Sequence, residues 1–378
     1  MIPRNWRLIK QSDICKLDNG QKLSDISFPY IDVKYLRGIS KAKMVDSGNY
    51  VEKSSLIILV DGENSGEVFI VPENGYMGST FRLLKLNNNI INTKFLRYFI
   101  ETKKEIYKTN KQGSAIPHLN KKLFNEMLFP LPPLDEQQRI VDIIESLFSK
   151  LDKAKALAQN IIDNYGLRRS AILHKAFTGE LTDTNLNITD FSEVANIKCN
   201  LVSPKDYLNY PHIAPDNIEK KTGRLTSYHT VAEDKVISNK HRFYPGQILY
   251  SKIRPYLSKV IVAEFDGLCS ADMYPIESKG SMKYMWYYML SDEFLNQASN
   301  AGSRTLLPKI NQKELSKIKV PICKLEEQKE IVRILDSLLA KEQRTKELAE
   351  QVINEVDLMK KAILARAFRG ELVINKIQ

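Results

Sequence analysis

The sequence contains no run of 18 or more apolar residues, and its four cysteines (Cys15, Cys199, Cys269, Cys323) form no CxxC pair. The first absence leaves nothing to span a membrane. The second argues against a zinc site and a disulfide framework, and it suits a reducing, cytoplasmic setting in which each cysteine serves as a small apolar filler. The opening MIPRNWRLIKQSD lacks the apolar core of a signal peptide. Catalytic signatures are missing too. There is no GxxxxGK[ST] to cradle phosphates, no GxGxxG and no [DN]PP[YF]. The five histidines (His118, His174, His212, His229, His241) show no metal-ligand spacing. PDNIEKK (215–221) superficially resembles a nuclease site, but Asp216 and Glu219 lie three apart in a loop rather than on separate strands.

What is present is length, positive charge and duplication. A chain of 378 residues implies two or more domains. The net charge of +11 divides as +7 over residues 1–128, −1 over 129–184, +4 over 185–319 and +1 over 320–378. The excess sits in the two long segments that precede the repeats, and it points to a polyanion partner. PLPPLDEQQRIVDIIESL (130–147) returns as PICKLEEQKEIVRILDSL (321–338), and the match continues without a gap at an offset of 191 to the closing words AILHKAFTGEL and AILARAFRGEL. A gapless match suits a rigid helix, where one inserted residue would turn every later side chain by about 100°. The acidic pairs Asp135-Glu136 and Glu326-Glu327 fit a helix N-terminus better than acid–base catalysis, and Gly179 and Gly370 fit its end.

Apolar residues in the first copy follow steps of four and three: Ile140, Ile144, Leu147, Leu151, Ala154, Ala158, Ile161, Tyr165. The second gives Ile331, Leu335, Leu338, Glu342, Thr345, Ala349, Val352, Val356, Met359, Ile363, with a polar middle. Both read as coiled-coil seams, and two such helices in one chain can cover each other. The expected fold is α+β, with two globular α/β heads (1–128 and 185–319), two long antiparallel helices (129–184 and 320–378) and an internal pseudo-two-fold repeat.

The heads read as short strands. SLIILVDGENSGEVFIV and QILYSKIRPYLSKVIVAEF occupy matching places, followed by GYMGSTFRLL and GLCSADMYPI and then by aromatic-rich helices. GSAIPHLN (113–120) and GSRTLLPKIN (302–311) precede the two helices. The hairpin loops differ where the frame agrees. One holds Asp61, Glu63, Asn64 and Ser65; the other holds Lys252, Arg254, Tyr256, Ser258 and Lys259.

The pattern P-L-P-P-L-x-E-Q-x-x-I-V, the long helix and the closing A-F-x-G-E-L resemble the conserved regions of the specificity subunit of type I restriction–modification enzymes. YPGQILYSKIRPYLSKV with CSADMYPI resembles that family's target-recognition domains. The resemblance covers essentially the whole chain. It implies a non-catalytic subunit that reads a bipartite, asymmetric double-stranded DNA target, one half per head, with the helices setting the gap. It also implies docking of two methyltransferase subunits, which carry S-adenosylmethionine, and of restriction subunits with ATP and Mg, and no cofactor in this chain. The candidate DNA-facing residues are then Arg37, Lys41, Lys43, Asn64, Ser65, Ser79, Thr80 and Arg82 in the first head. In the second they are Arg224, Lys240, Arg242, Lys252, Arg254, Tyr256, Lys259, Arg304 and Lys309. The candidate coiled-coil and docking residues are Ile140, Ile144, Leu147, Leu151, Ile331, Leu335, Leu338, Val352 and Val356. The acidic turn VDGENSGEV departs from a DNA-facing loop: either it faces away from phosphate, or its carboxylates accept from cytosine amino groups. A coiled-coil adaptor without DNA specificity is the alternative, and an enzyme with unfamiliar motifs is a third.

Overall fold

The structure, a computed structural model, describes residues 3–87, 89–112, 117–301 and 308–372. It divides into two compact units, Met1–Ala158 with Gln351–Gln378, and Gln159–Glu350. The division falls inside the long helices rather than between heads and helices. Each unit is a head whose core takes in parts of both helices.

Within the first unit, strand Arg7–Lys10 pairs antiparallel with Leu128–Leu131 and closes the base of the head. A four-stranded sheet follows in the order Cys15–Asp18, Phe81–Leu86, Leu56–Leu59, Val68–Ile70. All four residues of Leu56–Leu59 are buried, as a strand covered on both faces requires. Strands Gln21–Ile31, Met44–Val51 and Gly75–Met77 close on one another as a second layer.

The second unit repeats this plan. Asn187–Asp190 pairs with Lys319–Ile322. The four-stranded sheet runs Ala195–Ile197, Met273–Ser278, Ile248–Ser251, Val260–Val262. The second layer is a five-stranded sheet ordered Leu201–Val202, Lys240–Phe243, Gly267–Cys269, Pro211–Ile213, His229–Thr230. Both second layers contain one parallel pairing, Tyr30 with Tyr76 and His212 with Leu268.

The repeated words acquire separate jobs. Gln137 and Gln328 are buried, and each ties a long helix to its head. Gln137 Oε1 accepts from the backbone N–H of Asn92 at 2.8 Å, while its Nε2 donates to the Pro132 and Ile90 carbonyls at 2.9 Å. Gln328 Oε1 accepts from the Ser281 N–H at 3.0 Å, and its Nε2 donates to the Cys323 carbonyl at 2.8 Å. Asn92 and Ser281 are the N-caps of the aromatic helices Thr93–Thr102 and Met282–Met289. One side chain therefore pairs the N-cap N–H of an aromatic helix and a carbonyl just ahead of the long helix. The neighbouring acids diverge. Glu327 accepts from the Lys324 N–H at 3.0 Å, a capping contact, whereas Glu136 accepts from the Trp6 indole N–H and the Asn5 amide, both at 3.0 Å.

The closing words supply a phenylalanine. In the first unit Phe368 packs on Phe95 and Phe99, with ring centroids 4.9 and 5.4 Å away. In the second, Phe177 packs on Tyr284 and Tyr288, both at 5.2 Å. Each head thus receives its latch from the helix that follows it and its plug from the other long helix. Gly179 (φ 89°) and Gly370 (φ 74°) then turn the chain away. A Cβ at Gly370 would lie 2.2 Å from Pro3 Cγ, and one at Gly179 would lie 2.4 Å from the Thr184 carbonyl oxygen. Glycine is required at both places by backbone angle and by space.

The long helices span Leu134–Asp163, Tyr165–Thr178 and Leu325–Ala367. The expected unbroken first helix is interrupted at Asn164 (φ −91°, ψ 1°), whose side-chain amide competes for the Asn160 carbonyl. Their contacts are antiparallel within each unit. In the first, Lys155 meets Asp357 at 2.9 Å and Asp152 meets Lys360 at 2.6 Å. In the second, Tyr165 donates to Gln343 at 2.9 Å and Arg168 to Glu342 at 2.7 Å. Ile140, Ile144, Ile331 and Leu335 are buried in the head cores rather than in a helix-only seam. Leu147, Leu151 and Leu338 are half-buried, and Val356 is buried.

Val352 is a correction, being 38 % exposed, and Thr345 and Met359 are exposed with it. A straight helix drifts about 20° per heptad from a strict 3.5-residue repeat. The inward places accordingly move on by one residue, to Lys346, Ile353 and Lys360. The lysine stems fill them, with their ammonium groups 5.1 Å from the Tyr165 ring centroid and 5.0 Å from that of Phe148.

Gln137→Ala strands the Asn92 N–H and the Pro132 carbonyl, and Gln328→Ala does the equivalent in the second unit. Each is expected to lower stability by about 2–3 kcal/mol in urea unfolding, against under ~0.5 kcal/mol for the exposed neighbour change Arg139→Ala. Equal midpoints for Gln137→Ala and Arg139→Ala would remove the latch.

Candidate nucleic-acid interface

Both heads pin their hairpin loop in the same way. After Leu56–Leu59 the chain turns at Gly62, whose N–H donates to the Pro117 carbonyl at 2.7 Å, and Asp61 bridges to His118. After Ile248–Ser251 it turns at Arg254, whose N–H donates to the Pro308 carbonyl at 2.7 Å, and Ile253 bridges to Lys309. Gly62 has φ 97° and Arg254 has φ 48°. Glycine takes this left-handed corner freely, whereas a side-chain-bearing residue there costs of order 1 kcal/mol. Ser258 (φ 45°) ends the same turn, and the exposed Tyr256 lies between them in Pro255–Leu257. The second head therefore holds a strained, cation-bearing rim where the first has glycine.

In the first head the carboxylates of the acidic turn find partners within the head. Asp61 Oδ1 lies 2.6 Å from His118 Nδ1, Glu63 lies 2.9 Å from Lys111 Nζ, and Glu67 pairs with both Arg37 and Lys104. The carboxylates of VDGENSGEV are thus engaged within the head, and so is Arg37. Ser65 is a correction: it is 1 % exposed, its hydroxyl has no partner among the described residues, and it cannot meet a surface ligand. Asn64 is half-buried and its carbonyl holds the Glu67 N–H. Arg82 donates to the Ser79 and Phe81 carbonyls at 3.1 and 2.7 Å, bracing its own turn. Ser79 is exposed, Thr80 is half-buried, and Lys41 and Lys43 are exposed.

The second head is more open electrostatically. The Lys252 ammonium lies 5.1 Å from the centroid of the Tyr274 ring, and its pKa is pushed down by burial first and by Lys309 next. Lys240 donates to the Ser238 hydroxyl and carbonyl at 2.6 and 3.2 Å, and burial pushes its pKa down too. Lys309 pairs with Asp272 at 3.1 Å and Arg224 with Glu219 at 3.0 Å; all four side chains are largely exposed. Arg242 lies against three tyrosine rings.

Lys259 is a second correction. Its ammonium donates to the Pro215 carbonyl at 2.7 Å and lies 3.5 Å from Asp216, with most of the side chain covered. It fastens the loop instead of presenting charge. Arg304 lies outside the described residues, as do the leading residues of GSAIPHLN and GSRTLLPKIN. Cys199, expected as a filler, is exposed and accepts from the Gln312 amide.

In the sequence alone His118, Lys111, Asp272 and Tyr274 have no individual role, although three of them lie in GSAIPHLN and CSADMYPI, because each acts through a partner distant along the chain. Among the described residues, no group of three or more His, Cys, Asp and Glu is placed to hold a metal, and no helix is long and apolar enough to cross a membrane. The chemistry available is that of partly desolvated cations, which a bound anion would relieve.

The sequence matches the family model of the Type I restriction modification DNA specificity domain over residues 3–161 and again over 184–355. It is 34 % identical to the EcoDI specificity subunit of Escherichia coli, across 98 % of this chain and 89 % of that one. It is 24 % identical to the MjaVIII specificity subunit of Methanocaldococcus jannaschii, across 100 % and 95 %. The fold superimposes on the HsdS subunit from Thermoanaerobacter tengcongensis with a TM-score of 0.69, at 18 % identity and 98 % coverage of each chain. A chain from a study of type I R-M complex assembly gives a TM-score of 0.73 at 18 % identity, covering 98 % of this chain and 99 % of that chain.

A lysine whose folded pKa lies below its unfolded value carries at neutral pH a charge that opposes folding, and this penalty fades as pH rises through the folded pKa. Lys252→Met is therefore expected to raise the thermal midpoint at pH 7 by about 1–2 °C, with the gain shrinking toward pH 10. A lower midpoint at pH 7 would mean that packing on Tyr274 outweighs the buried charge.

Proposed function

Because the chain belongs to the family of type I restriction modification DNA specificity domains, we propose that it reads a two-part double-stranded DNA target for a larger assembly. The observation that carries the reading is one frame built twice, with the loop pinned identically in each head and its chemistry changed. Each head takes one half-target, and the paired helices set the gap between halves. The assembly brings two methyltransferase subunits, holding S-adenosylmethionine, and restriction subunits with ATP and Mg. This chain itself catalyses nothing and holds no cofactor.

Partner docking falls to helix residues outside the seam. Leu157, Leu358 and Met359 of the first unit, and Leu167 and Leu348 of the second, are exposed apolar side chains on the long helices. The seam residues Ile140, Ile144, Ile331, Leu335 and Val356 are buried and hold the fold.

Mapping methylated adenines in cells with and without this chain, in the presence of its methyltransferase partner, tests the reading. Two half-sites separated by a fixed gap should appear only with the chain; an unchanged map removes the proposal. A salt titration adds the electrostatic test. Arg254→Gly, which copies the Gly62 corner, and Lys309→Gln should each lower the slope of log affinity against log salt by about one, with both half-sites retained. Lys259→Gln should leave the slope alone. If all three behave alike, the placement of the cations is wrong.

A further inference from the structure

The second layer of each head carries a row of three side chains in one register. In the first head Tyr76 pairs antiparallel with Tyr50 and parallel with Tyr30. In the second, Leu268 pairs antiparallel with Arg242 and parallel with His212. Residues in register on neighbouring strands share a face, with about 5 Å from strand to strand. Tyr50, Tyr76, Tyr30 and Arg242, Leu268, His212 are therefore the same row, written twice with different chemistry.

In the first head the row is closed. Tyr76 is fully buried and its hydroxyl donates to the Ile26 carbonyl at 2.8 Å. Phe28 covers Tyr50 and Tyr76 with ring centroids 5.2 and 5.5 Å away.

In the second head the row is left wanting acceptors. The Arg242 guanidinium carbon lies 4.8, 5.2 and 5.9 Å from the ring centroids of Tyr244, Tyr207 and Tyr210. Among the described residues its buried Nε has no partner, and its Nη1 reaches only the Tyr207 hydroxyl, at 3.5 Å. Among the described residues no carboxylate pairs with it, although Lys198, Arg224, Lys259, Lys283, Lys309 and Lys319 of the same unit all have one. His212 at the other end of the row is 8 % exposed. Its Nδ1 faces Asp234 at 2.7 Å, and its Nε2 has no partner among the described residues. Tyr244 is 40 % exposed and Leu208 51 % exposed, so this edge of the sheet is open to a ligand.

We propose that Arg242 is a base-reading residue of the second head, offering its guanidinium fork to the O6 and N7 acceptors of a guanine. The three tyrosines are positioning residues that hold the fork flat. A phosphate contact needs only charge, whereas paired acceptors in one plane need an oriented fork, and the tyrosine clamp orients it. Tyr50 occupies the matching place in the first head, so that head reads its half-target without this contact. The inference rests on the reading of the chain as a DNA specificity subunit.

The test uses the full chain in complex with its methyltransferase subunits and a randomised duplex DNA library, with sequencing of the bound fraction. Arg242→Lys keeps the charge and removes the fork. It should cut the preference for guanine at one position of one half-site about tenfold or more, leaving the other half-site unchanged. Tyr244→Leu, which retains Arg242 but loosens it, should weaken preference at that same position, and it serves if Arg242→Lys does not fold. A uniform loss of affinity without altered base preference marks a phosphate contact and overturns the inference. Unchanged selection overturns it as well. If the wild-type complex selects no sequence at all, the DNA-reading proposal falls and takes this inference with it.

Discussion

Everything in each unit depends on a buried glutamine amide. A long helix beginning against a globular head leaves a backbone carbonyl to be met just ahead of its own start and an N–H at the N-cap of the aromatic helix beside it. Gln137 and Gln328 bring a carbonyl oxygen to the neighbouring N-cap and an N–H to the carbonyl five residues back. No shorter side chain spans both, and a carboxylate could not donate. The aromatic plug completes the joint from the other long helix. Phe368 and Phe177 each bury a ring against an aromatic helix, and truncating a buried Phe of this kind typically costs about 3–5 kcal/mol. Each head core is thus completed by residues of both helices, which accounts for the repetition of non-seam letters such as Gln137 and Phe177.

Rigidity at the joint leaves the opposite edge of each sheet able to vary. The hairpin loops are held by backbone contacts, Gly62 to Pro117 and Arg254 to Pro308, that any side chain can make. Apart from Lys259, which fastens its loop to the Pro215 carbonyl, side chains there are accordingly free to differ. The first head uses that freedom to pair its acids internally, and the second uses it to leave cations poorly compensated. The strain at Arg254 persists because the backbone contact over-determines the corner.

The duplication, the helix stripe and the strand-turn-strand heads were legible in the sequence because they are local and periodic. Gln137 stood out as a repeated letter, but its job did not, since its partners Ile90 and Asn92 lie far back along the chain. Val352 was misplaced because apolar letters were followed at a strict heptad, while the real seam drifts and accepts the stems of Lys346 and Lys360. Ser65 and Lys259 look like surface residues by type. One is buried beneath its own turn, and the other is spent on a carbonyl. The acidic turn read as a puzzle because His118, Lys111, Arg37 and Lys104 arrive from elsewhere in the fold.

These distinctions change how net charge should be weighed. Residues 1–128 carry the larger excess, +7 against +4 for 185–319, yet the loop of the first head is closed by ion pairs. In the second head Lys240, Arg242 and Lys252 lack a paired carboxylate among the described residues, and burial makes the ammonium of both lysines harder to keep. An approaching anion gains most where charge is least compensated and already partly stripped of water. The head with the smaller formal charge therefore carries the less compensated cations among the described residues. The heads differ in kind as well as in sequence: one pairs its loop acids within the head, and the other holds an arginine against three tyrosine rings with no paired carboxylate among the described residues.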